Sequence, residues 1–378
     1  MERESTRRLE ELDSIRGIAA LTVVFSHFYG LWLDDPMRYS SPLARRAFTY
    51  VVYPFVQGHS AVMLFFVLSG FVLCIPAIHG RSQSYQVFAT RRVFRIYMPY
   101  LVALTLSVVG DMFLHGQVTK SPWFNNFWSQ PVNWQLVTKH IEFIGQYDTS
   151  QFDPPIWSLI CEMRISLIFP LLCAVVLMLR PAQSLLFAFG VSFFSAYAND
   201  HLMPSILHLP IYGTTHYVSL FVVGIYLARE KDAISGIFDR FSRRKKIVFG
   251  VLCTLLYVYG SDAWLNGLHA LGCDKWTLTA DWPTALGAAG LIVLAMNSVS
   301  LHRILLWRPI HALGRMSYSV YLIHFIILLY LVHLFYGRVP LLVIIVSCLV
   351  ISLAASWQFY HFVEKPFMRL GRAVSGYL

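Results

Sequence analysis

Apolar stretches long enough to cross a lipid bilayer recur along most of this chain. A helix needs about 20 mainly apolar residues to cross a hydrocarbon core of about 30 Å. We identify about ten such stretches, of which the fifth and sixth are short: residues 14–33, 57–78, 95–114, 156–179, 183–199, 212–228, 247–263, 283–299, 317–336 and 340–361. The pattern predicts an all-α, polytopic membrane helix bundle of about ten transmembrane helices.

Basic residues between these stretches predict the orientation of the chain. Cytoplasmic loops of membrane proteins carry an excess of Lys and Arg. Most of the 30 Lys and Arg residues fall on the side that holds the N-terminus, including the run from Arg240 to Lys246. We therefore expect both termini to be cytoplasmic. The first apolar run continues past Ala20 without a small-residue cleavage site, which favours a retained span over a signal peptide.

Composition excludes several classes of protein. With 57% hydrophobic and only 13% charged residues, the chain is too apolar for an ordinary soluble domain. The net charge of +10 would suit nucleic acid, but the charges lie in short segments between apolar runs, so we expect no nucleic-acid partner. Five of the six cysteines lie in apolar runs and only Cys273 in a polar loop, which predicts neither a disulfide framework nor a metal site. Without a linker or repeat, residues 1–378 are expected to form one transmembrane domain, spanning about 14–361, with no appended soluble domain.

The first apolar stretch carries two ionisable residues. In LDSIRGIAALTVVFSHF, from Leu12 to Phe28, Arg16 and His27 are eleven residues apart. That separation is almost three helical turns, so both side chains share one face, roughly 16 Å apart along the axis. A charged side chain inside a bilayer costs about 2.5 to 3.5 kcal/mol on insertion scales and therefore faces a cavity or a partner. The sequence predicts that this helix face lines a polar cavity.

The longest segment predicted on the outer side, residues 115–155, is rich in aromatic residues. They are Trp123, Phe124, Phe127, Trp128, Trp134 and Tyr147. Two interpretations stay open: an interfacial aromatic belt, or a platform on which sugar rings stack. Within this segment, residues 133–144 predict a short interfacial helix.

Six phrases, in this order, resemble the acyltransferase-3 family of bacterial integral-membrane O-acyltransferases, which includes enzymes acting on polysaccharide and lipopolysaccharide. They are LDSIRGIAALTVVFSHF (12–28), VMLFFVLSGFVL (62–73), RRVFRIYMPYL (91–101), WSLICEMRISLIFPLL (157–172), SYSVYLIH (317–324) and FVEKPF (362–367). The resemblance implies transfer of an acyl group, usually acetyl, from cytoplasmic acyl-CoA to a hydroxyl of a cell-envelope or exported carbohydrate. It also implies a multi-pass protein of the bacterial inner membrane, whose partners are the bilayer, acyl-CoA and a carbohydrate acceptor, with no metal.

The resemblance also suggests which residues carry the chemistry. The family's pattern of Arg, ten residues, then His falls on Arg16 and His27, and its Arg-x-x-Arg pattern falls on Arg92 and Arg95. The acidic residue of its Trp-Ser-Leu-x-x-Glu phrase falls on Glu162.

One departure from the family changes the expected acceptor contacts. Similar sequences often carry Phe-Tyr where this chain has Ile165 and Ser166, with Arg164 before them. As candidate substrate-binding residues we name Trp157, Arg164, Tyr321 and His324.

We predict His27 as general base. Counted from the predicted ends of their spans, His27 lies roughly 20 Å from the inner boundary and Glu162 roughly 9 Å from the outer one, so the two are at similar depth. A neutral imidazole can accept a proton from a sugar hydroxyl, and a carboxylate on its other nitrogen would fix the tautomer. Glu162 is therefore predicted as orienter or proton acceptor. A covalent acyl-histidine is a variant of this hypothesis.

Arg92 and Arg95 are predicted to bind the donor. Their spacing puts both guanidinium groups on one helix face, where they can bind the phosphates of CoA. Basic residues are also expected at cytoplasmic helix ends from topology alone. Arg16 has an alternative partner in Asp13, three residues earlier.

Two other functions stay open. A proton-coupled secondary transporter would use His27, Glu162 and Arg164 as a relay, although the chain shows no pair of matching halves. A membrane scaffold for polysaccharide assembly would need no buried His and Glu. Ser69 and Gly70, within an apolar stretch, are interpreted as helix-packing residues rather than as a nucleophile site.

Overall fold

The computed structural model describes residues 2–33, 50–81, 83–145, 147–199, 210–271 and 277–377. Its α-helices are α1 (Glu2–Leu33), α2 (Gly58–Ile78), α3 (Tyr85–Arg92), α4 (Met98–Leu114), α5 (Trp134–Glu142), α6 (Ile156–Met178), α7 (Pro181–Tyr197), α8 (Pro210–Arg229), α9 (Lys231–Asp239), α10 (Arg243–Ala270), α11 (Asp281–Asn297), α12 (Val299–Leu305), α13 (Arg308–Arg315), α14 (Ser317–Phe335), α15 (Leu341–Phe359) and α16 (Lys365–Val374). Turns of π-helix at Val93–Tyr97 and Tyr360–Glu364 join α3 to α4 and α15 to α16. The predicted all-α class is confirmed.

Eight helical segments among the described residues are long and apolar enough to cross a membrane. The predicted spans at 183–199 and 212–228 do form helices, α7 and α8, but they are not among these eight. Whether α7 and α8 also cross the membrane, as the predicted count of about ten requires, stays a prediction. Eight and ten are both even, so either count leaves the two termini on one side, and their cytoplasmic location stays a prediction. Cys273 lies outside the described residues, and the other five cysteines are free thiols.

The chain divides into two compact units, each built from separated stretches. The first unit comprises Met1–Ala19, His59–Gln83 and Arg164–Gly314, and the second comprises Ala20–Gly58, Ser84–Met163 and Arg315–Leu378.

Glycines allow α2 and α8 of the first unit to pack closely. A Cβ added at Gly70 would lie 2.1 Å from the carbonyl oxygen of Phe221, and one added at Gly224 would lie 2.1 Å from the carbonyl oxygen of Val67. Small residues let two membrane helices bring their backbones together, which replaces the hydrophobic driving force that lipid does not supply. Gly70 is therefore a packing residue, as its place in an apolar helix predicted.

In the second unit, the irregular backbone of residues 147–155 reaches into the helix bundle. The indole N–H of Trp128 donates to the hydroxyl of Ser107 (3.1 Å), which in turn donates to the carbonyl of Phe152 (2.5 Å). Ser107 lies within α4, and both aromatic side chains are fully buried. Non-helical backbone is tolerated at membrane depth only where protein groups satisfy it. These bonds supply such groups.

The aromatic residues of the segment 115–155 differ in how deeply their side chains are buried. Phe124 and Trp128 are fully buried, so for them both the belt and the platform interpretations were wrong, because they fill the interior of the second unit. Trp134 is 60% exposed.

Helix α5 forms where a short interfacial helix was predicted, but its partners lie deeper. Tyr97 and Tyr100 donate hydrogen bonds to the backbone carbonyls of Ile141 (2.5 Å) and His140 (3.2 Å). Both tyrosines lie near the middle of the continuous helical segment of residues 85–114. The end of α5 therefore packs beside the middle of that helix rather than at its tip.

Candidate active site

His27, on α1, belongs to a cluster of rings in the second unit. Its Nδ1 lies 2.9 Å from Nε2 of His324, on α14. The ring of Trp123 stacks on His27, with centroids 6.1 Å apart and planes 14° apart, and Phe325 packs edge-on at 4.9 Å. His324 is fully buried, whereas His27 keeps part of its exposure. These rings hold one imidazole in a fixed orientation.

The hydrogen bonds of the two histidines determine which nitrogens carry protons. Nδ1 of His324 lies 2.9 Å from the carbonyl of Val320. A carbonyl only accepts, so this nitrogen is the donor and, in neutral His324, Nε2 is an acceptor. Nδ1 of His27 must then be the donor to His324. Neutral His27 therefore has its lone pair on Nε2, which takes no hydrogen bond from any residue that the structure describes.

Two further polar side chains line the same face of α14. Tyr318 and Tyr321 precede His324 by six and three residues, which places the three on one helix face. Tyr321 donates to the carbonyl of Pro155 (3.0 Å), and its hydroxyl lies 2.6 Å from that of Ser158. Tyr318 donates to the carbonyl of Ile96 (2.6 Å), inside the π-helical turn. A π-turn leaves carbonyls without their usual helical partner and is frequent at functional sites.

Arg92 and Glu162 form a largely buried ion pair in the second unit. Nη2 of Arg92 lies 3.4 Å from Oε1 of Glu162, and the side chains are 10% and 13% exposed. Arg95 follows within the π-turn, and it interacts electrostatically with Tyr318. Arg91 is exposed and donates to the hydroxyl of Ser375 (2.9 Å). The π-turn between Arg92 and Arg95 departs from the regular α-helix from which their shared face was predicted.

The partner of His27 Nδ1 is thus His324, where we had predicted Glu162. The predicted depth of Glu162 assumed that α6 begins at the outer boundary. Phe152, Asp153 and Ile156 are all buried, so the helix begins inside the unit instead. Glu162 meets Arg92 instead of His27.

The remaining predicted residues have these positions. Trp157 is partly exposed in the first turn of α6, and Arg16 is partly buried on α1. Arg164 donates to the hydroxyl of Thr214 (2.9 Å) within the first unit. Tyr321 and His324, predicted as substrate contacts, are themselves bonded to Ser158 and His27. The structure therefore gives these two a supporting position behind His27.

Two buried titratable groups lie in the segment that precedes α6. Both carboxyl oxygens of Asp153 lack a hydrogen bond among the described residues, and burial raises the pKa of this carboxyl well above its usual value. His140 donates from Nδ1 to the carbonyl of Leu136 (3.0 Å), and burial lowers the pKa of its imidazole. Burial therefore favours the neutral form of both groups.

Sequence reasoning did not find Ser158 or the stacking of Trp123 on His27. Ser158 lies in the Trp-Ser-Leu phrase and Trp123 in the aromatic segment. Both positions therefore belong to sequence features that were recognised, but neither residue was assigned a role. Among the described residues, no group of three or more His, Cys, Asp or Glu side chains can hold a metal ion.

Comparison with known proteins connects this arrangement to a family. A family model described as an acyltransferase domain matches residues 9–361. The chain is 24% identical to the O-acetyltransferase OatA of Staphylococcus aureus, over 97% of this chain and 58% of that protein. It is 23% identical to the putative peptidoglycan O-acetyltransferase YrhL of Bacillus subtilis, over 97% of this chain and 56% of that protein. It is 22% identical to the peptidoglycan O-acetyltransferase OatA of Listeria monocytogenes, over 85% and 50%.

The chain therefore spans little more than half the length of these curated relatives. No solved structure matches it significantly.

Proposed function

Because this chain belongs to the acyltransferase family whose domain model it matches, we propose that it is a multi-pass membrane O-acetyltransferase. The donor is acetyl-CoA from the cytoplasm, and the acceptor is a hydroxyl of a cell-envelope carbohydrate. The curated relatives carry the names of peptidoglycan O-acetyltransferases, which makes peptidoglycan, rather than lipopolysaccharide, the first acceptor to test. The proposed location is the bacterial inner membrane.

The observation that carries the proposal is the tautomer of His27. A general base needs a lone pair that points toward its substrate and a second nitrogen that is held in place. His27 has both, since Nδ1 donates to His324 and Nε2 has no partner among the described residues. In the proposed step, the acceptor hydroxyl gives its proton to Nε2 while its oxygen attacks the thioester carbonyl. The carbon–sulfur bond breaks, and the proton passes from His27 to the departing CoA thiolate.

Arg92 and Arg95 are proposed to bind the CoA phosphates. The bond between Arg92 and Glu162 is long for a charge-assisted hydrogen bond, at 3.4 Å. Guanidinium groups bind phosphate bidentately, and in this proposal Arg92 and Arg95 hold the CoA phosphates in this way. Glu162 then positions Arg92 and offsets its charge when no donor is bound.

The test is acetyl transfer by the purified, full-length chain in detergent or proteoliposomes. Radiolabelled acetyl-CoA and peptidoglycan fragments are supplied, and both free CoA and labelled glycan are measured. We expect His27→Ala to reduce transfer by at least a hundredfold. The matched control is His361→Ala, because His361 is partly exposed and, among the described residues, its hydrogen bond is to the carbonyl of Trp357 one helical turn before it.

Near-normal transfer by a correctly folded His27→Ala protein would overturn the role of His27. If the wild-type protein released no CoA and labelled no glycan, the enzyme proposal itself would fail. A transporter that moves protons through His27 gives that second result, so the same assay separates the two functions.

A further inference from the structure

A second imidazole–carboxylate cluster lies in the first unit and uses none of the residues assigned above. His59 is the second residue of α2, and Asp281 is the first residue of α11. Nε2 of His59 lies 2.6 Å from Oδ1 of Asp281. The side chain of His59 is 48% exposed, whereas that of Asp281 is 6% exposed. An accessible imidazole is therefore held from behind by a buried carboxylate.

The carboxylate is backed by further polar groups from α7 and α8. The indole N–H of Trp282 donates to the hydroxyl of Ser192 (2.9 Å), which lies 3.0 Å from Nδ1 of His216. The other ring nitrogen of His216, Nε2, lies 3.3 Å from Oδ2 of Asp281. This contact is close but is not an aligned hydrogen bond.

The geometry fixes the tautomer of His59. A carboxylate only accepts, so the Nε2 of His59 that contacts Asp281 is the donor, and in neutral His59 the lone pair lies on Nδ1. Since Asp281 holds the buried side of the ring, Nδ1 is the nitrogen left for an outside partner, and in the imidazolium it is a donor. The pairing also differs from that of His27, whose partner is a neutral histidine. A carboxylate stabilises an imidazolium electrostatically, whereas a neutral imidazole does not.

An exposed aromatic ring is anchored beside this cluster. Trp264, on α10, is 44% exposed, and its indole N–H donates to the hydroxyl of Thr279 (3.0 Å). Thr279 precedes Asp281 by only two residues. Trp264 presents an apolar face while its polar edge is already bonded, which suits it to packing against a ring. In the predicted topology, α2 and α11 both begin on the extracytoplasmic side.

We propose that His59, Asp281 and Trp264 form a carbohydrate-binding subsite of the first unit. A sugar hydroxyl oxygen accepts a hydrogen bond from Nδ1 of the His59 imidazolium that Asp281 stabilises, and the apolar face of the sugar ring packs on Trp264. Asp281 positions His59 and does not contact the sugar. This inference rests on the proposed function, since it names a subsite for the acceptor class.

The experiment measures sugar binding and catalysis separately. The probe is chitotetraose, an oligomer of N-acetylglucosamine, and its Kd is measured by titration of the purified full-length protein without acetyl-CoA. We expect His59→Gln and Trp264→Leu each to raise Kd at least tenfold. The KM for acetyl-CoA and the release of CoA without acceptor stay within twofold of wild type.

His79→Gln is the matched control for His59. His79 follows the other end of α2, is exposed and, among the described residues, forms its hydrogen bond with the carbonyl of Ile75. It is expected to leave Kd unchanged. Trp264→Leu keeps the inference testable if His59→Gln fails to fold, because it leaves the buried carboxylate and its partners in place.

The outcomes separate this inference from the proposed function. Wild-type Kd values in both variants, or no binding of chitotetraose by the wild-type protein, would overturn the subsite. Loss of binding in both variants supports it even if the wild-type protein transfers no acetyl group. Acetyl transfer with an unaltered acceptor KM in both variants would leave the enzyme proposal standing and the subsite refuted.

Discussion

Replacing His324 tests the tautomer argument most directly. His324 accepts the Nδ1 proton of His27 at 2.9 Å and is itself fixed by the carbonyl of Val320. His324→Leu removes the acceptor and leaves the Nδ1–H of His27 without a partner. His27 can avoid that cost by moving its proton to Nε2 or by turning its ring. In either case the lone pair no longer faces the acceptor hydroxyl.

The expected size of the effect follows from the cost of a buried donor without a partner. That cost is about 1 to 3 kcal/mol. At about 1.36 kcal/mol for each factor of ten in rate, it corresponds to a loss of about 5- to 150-fold in kcat. The KM for acetyl-CoA should not change, because the proposed CoA contacts lie at Arg92 and Arg95. His324→Gln keeps an oxygen acceptor and should retain more activity than the leucine variant.

The assay is the radiolabelled transfer reaction at saturating acetyl-CoA, with folding checked by size-exclusion chromatography and thermal unfolding. His333→Gln is the matched control, since His333 lies on the same helix and bonds to the carbonyl of Leu329. In the wild-type protein, ¹⁵N chemical shifts of the imidazole should identify the Nδ1–H tautomer of His27. A folded His324→Leu protein with kcat within twofold of wild type would refute the reasoning, as would an Nε2–H tautomer in the wild type.

Three further predictions follow from the same structure. Arg95→Gln should raise the KM for acetyl-CoA about tenfold, whereas Arg91→Gln, which alters an exposed residue, should leave this KM within twofold of wild type. Equal KM values in the two variants would contradict the phosphate-binding role of Arg95. Burial raises the pKa of Asp153, so the native state keeps a proton on this carboxyl that the unfolded state loses near pH 4. The free energy of unfolding should therefore fall as pH rises from the pKa of the unfolded state to that of the folded state, by up to about 1.36 kcal/mol per pH unit. Asp153→Asn should abolish that decline in thermal melts between pH 5 and pH 7, and melting curves that depend on pH as in the wild type would show that Asp153 does not titrate in this way. Gly70→Val should lower the melting temperature sharply, because even a Cβ would lie 2.1 Å from a backbone oxygen of α8, whereas Gly190→Ala has no atom within 4 Å of the added carbon and should be nearly neutral.

The sequence by itself determined the class of the protein and its helices. Long apolar runs become helices in lipid because backbone groups there must bond within their own segment, and that rule acts locally. The same local rule located Arg16 and His27 on α1 and the helix at residues 134–142. The six phrases and their order identified the family, which the match over residues 9–361 confirms.

Only the tertiary structure decided which side chains meet. His27 pairs with a histidine 297 residues later in the chain, and Glu162 pairs with Arg92 because residues 147–155 enter the second unit before α6 begins. An estimate of depth from the predicted ends of the spans does not give the pairing of Glu162 with Arg92. The hydropathy of a segment shows how apolar the segment is but not which groups its backbone bonds to. The cluster at His59 likewise brings together four separate helices, whose contacts depend on close packing at residues such as Gly70. Helix formation is settled by neighbours along the chain, whereas the partner of an imidazole is settled by the packing of helices remote in sequence.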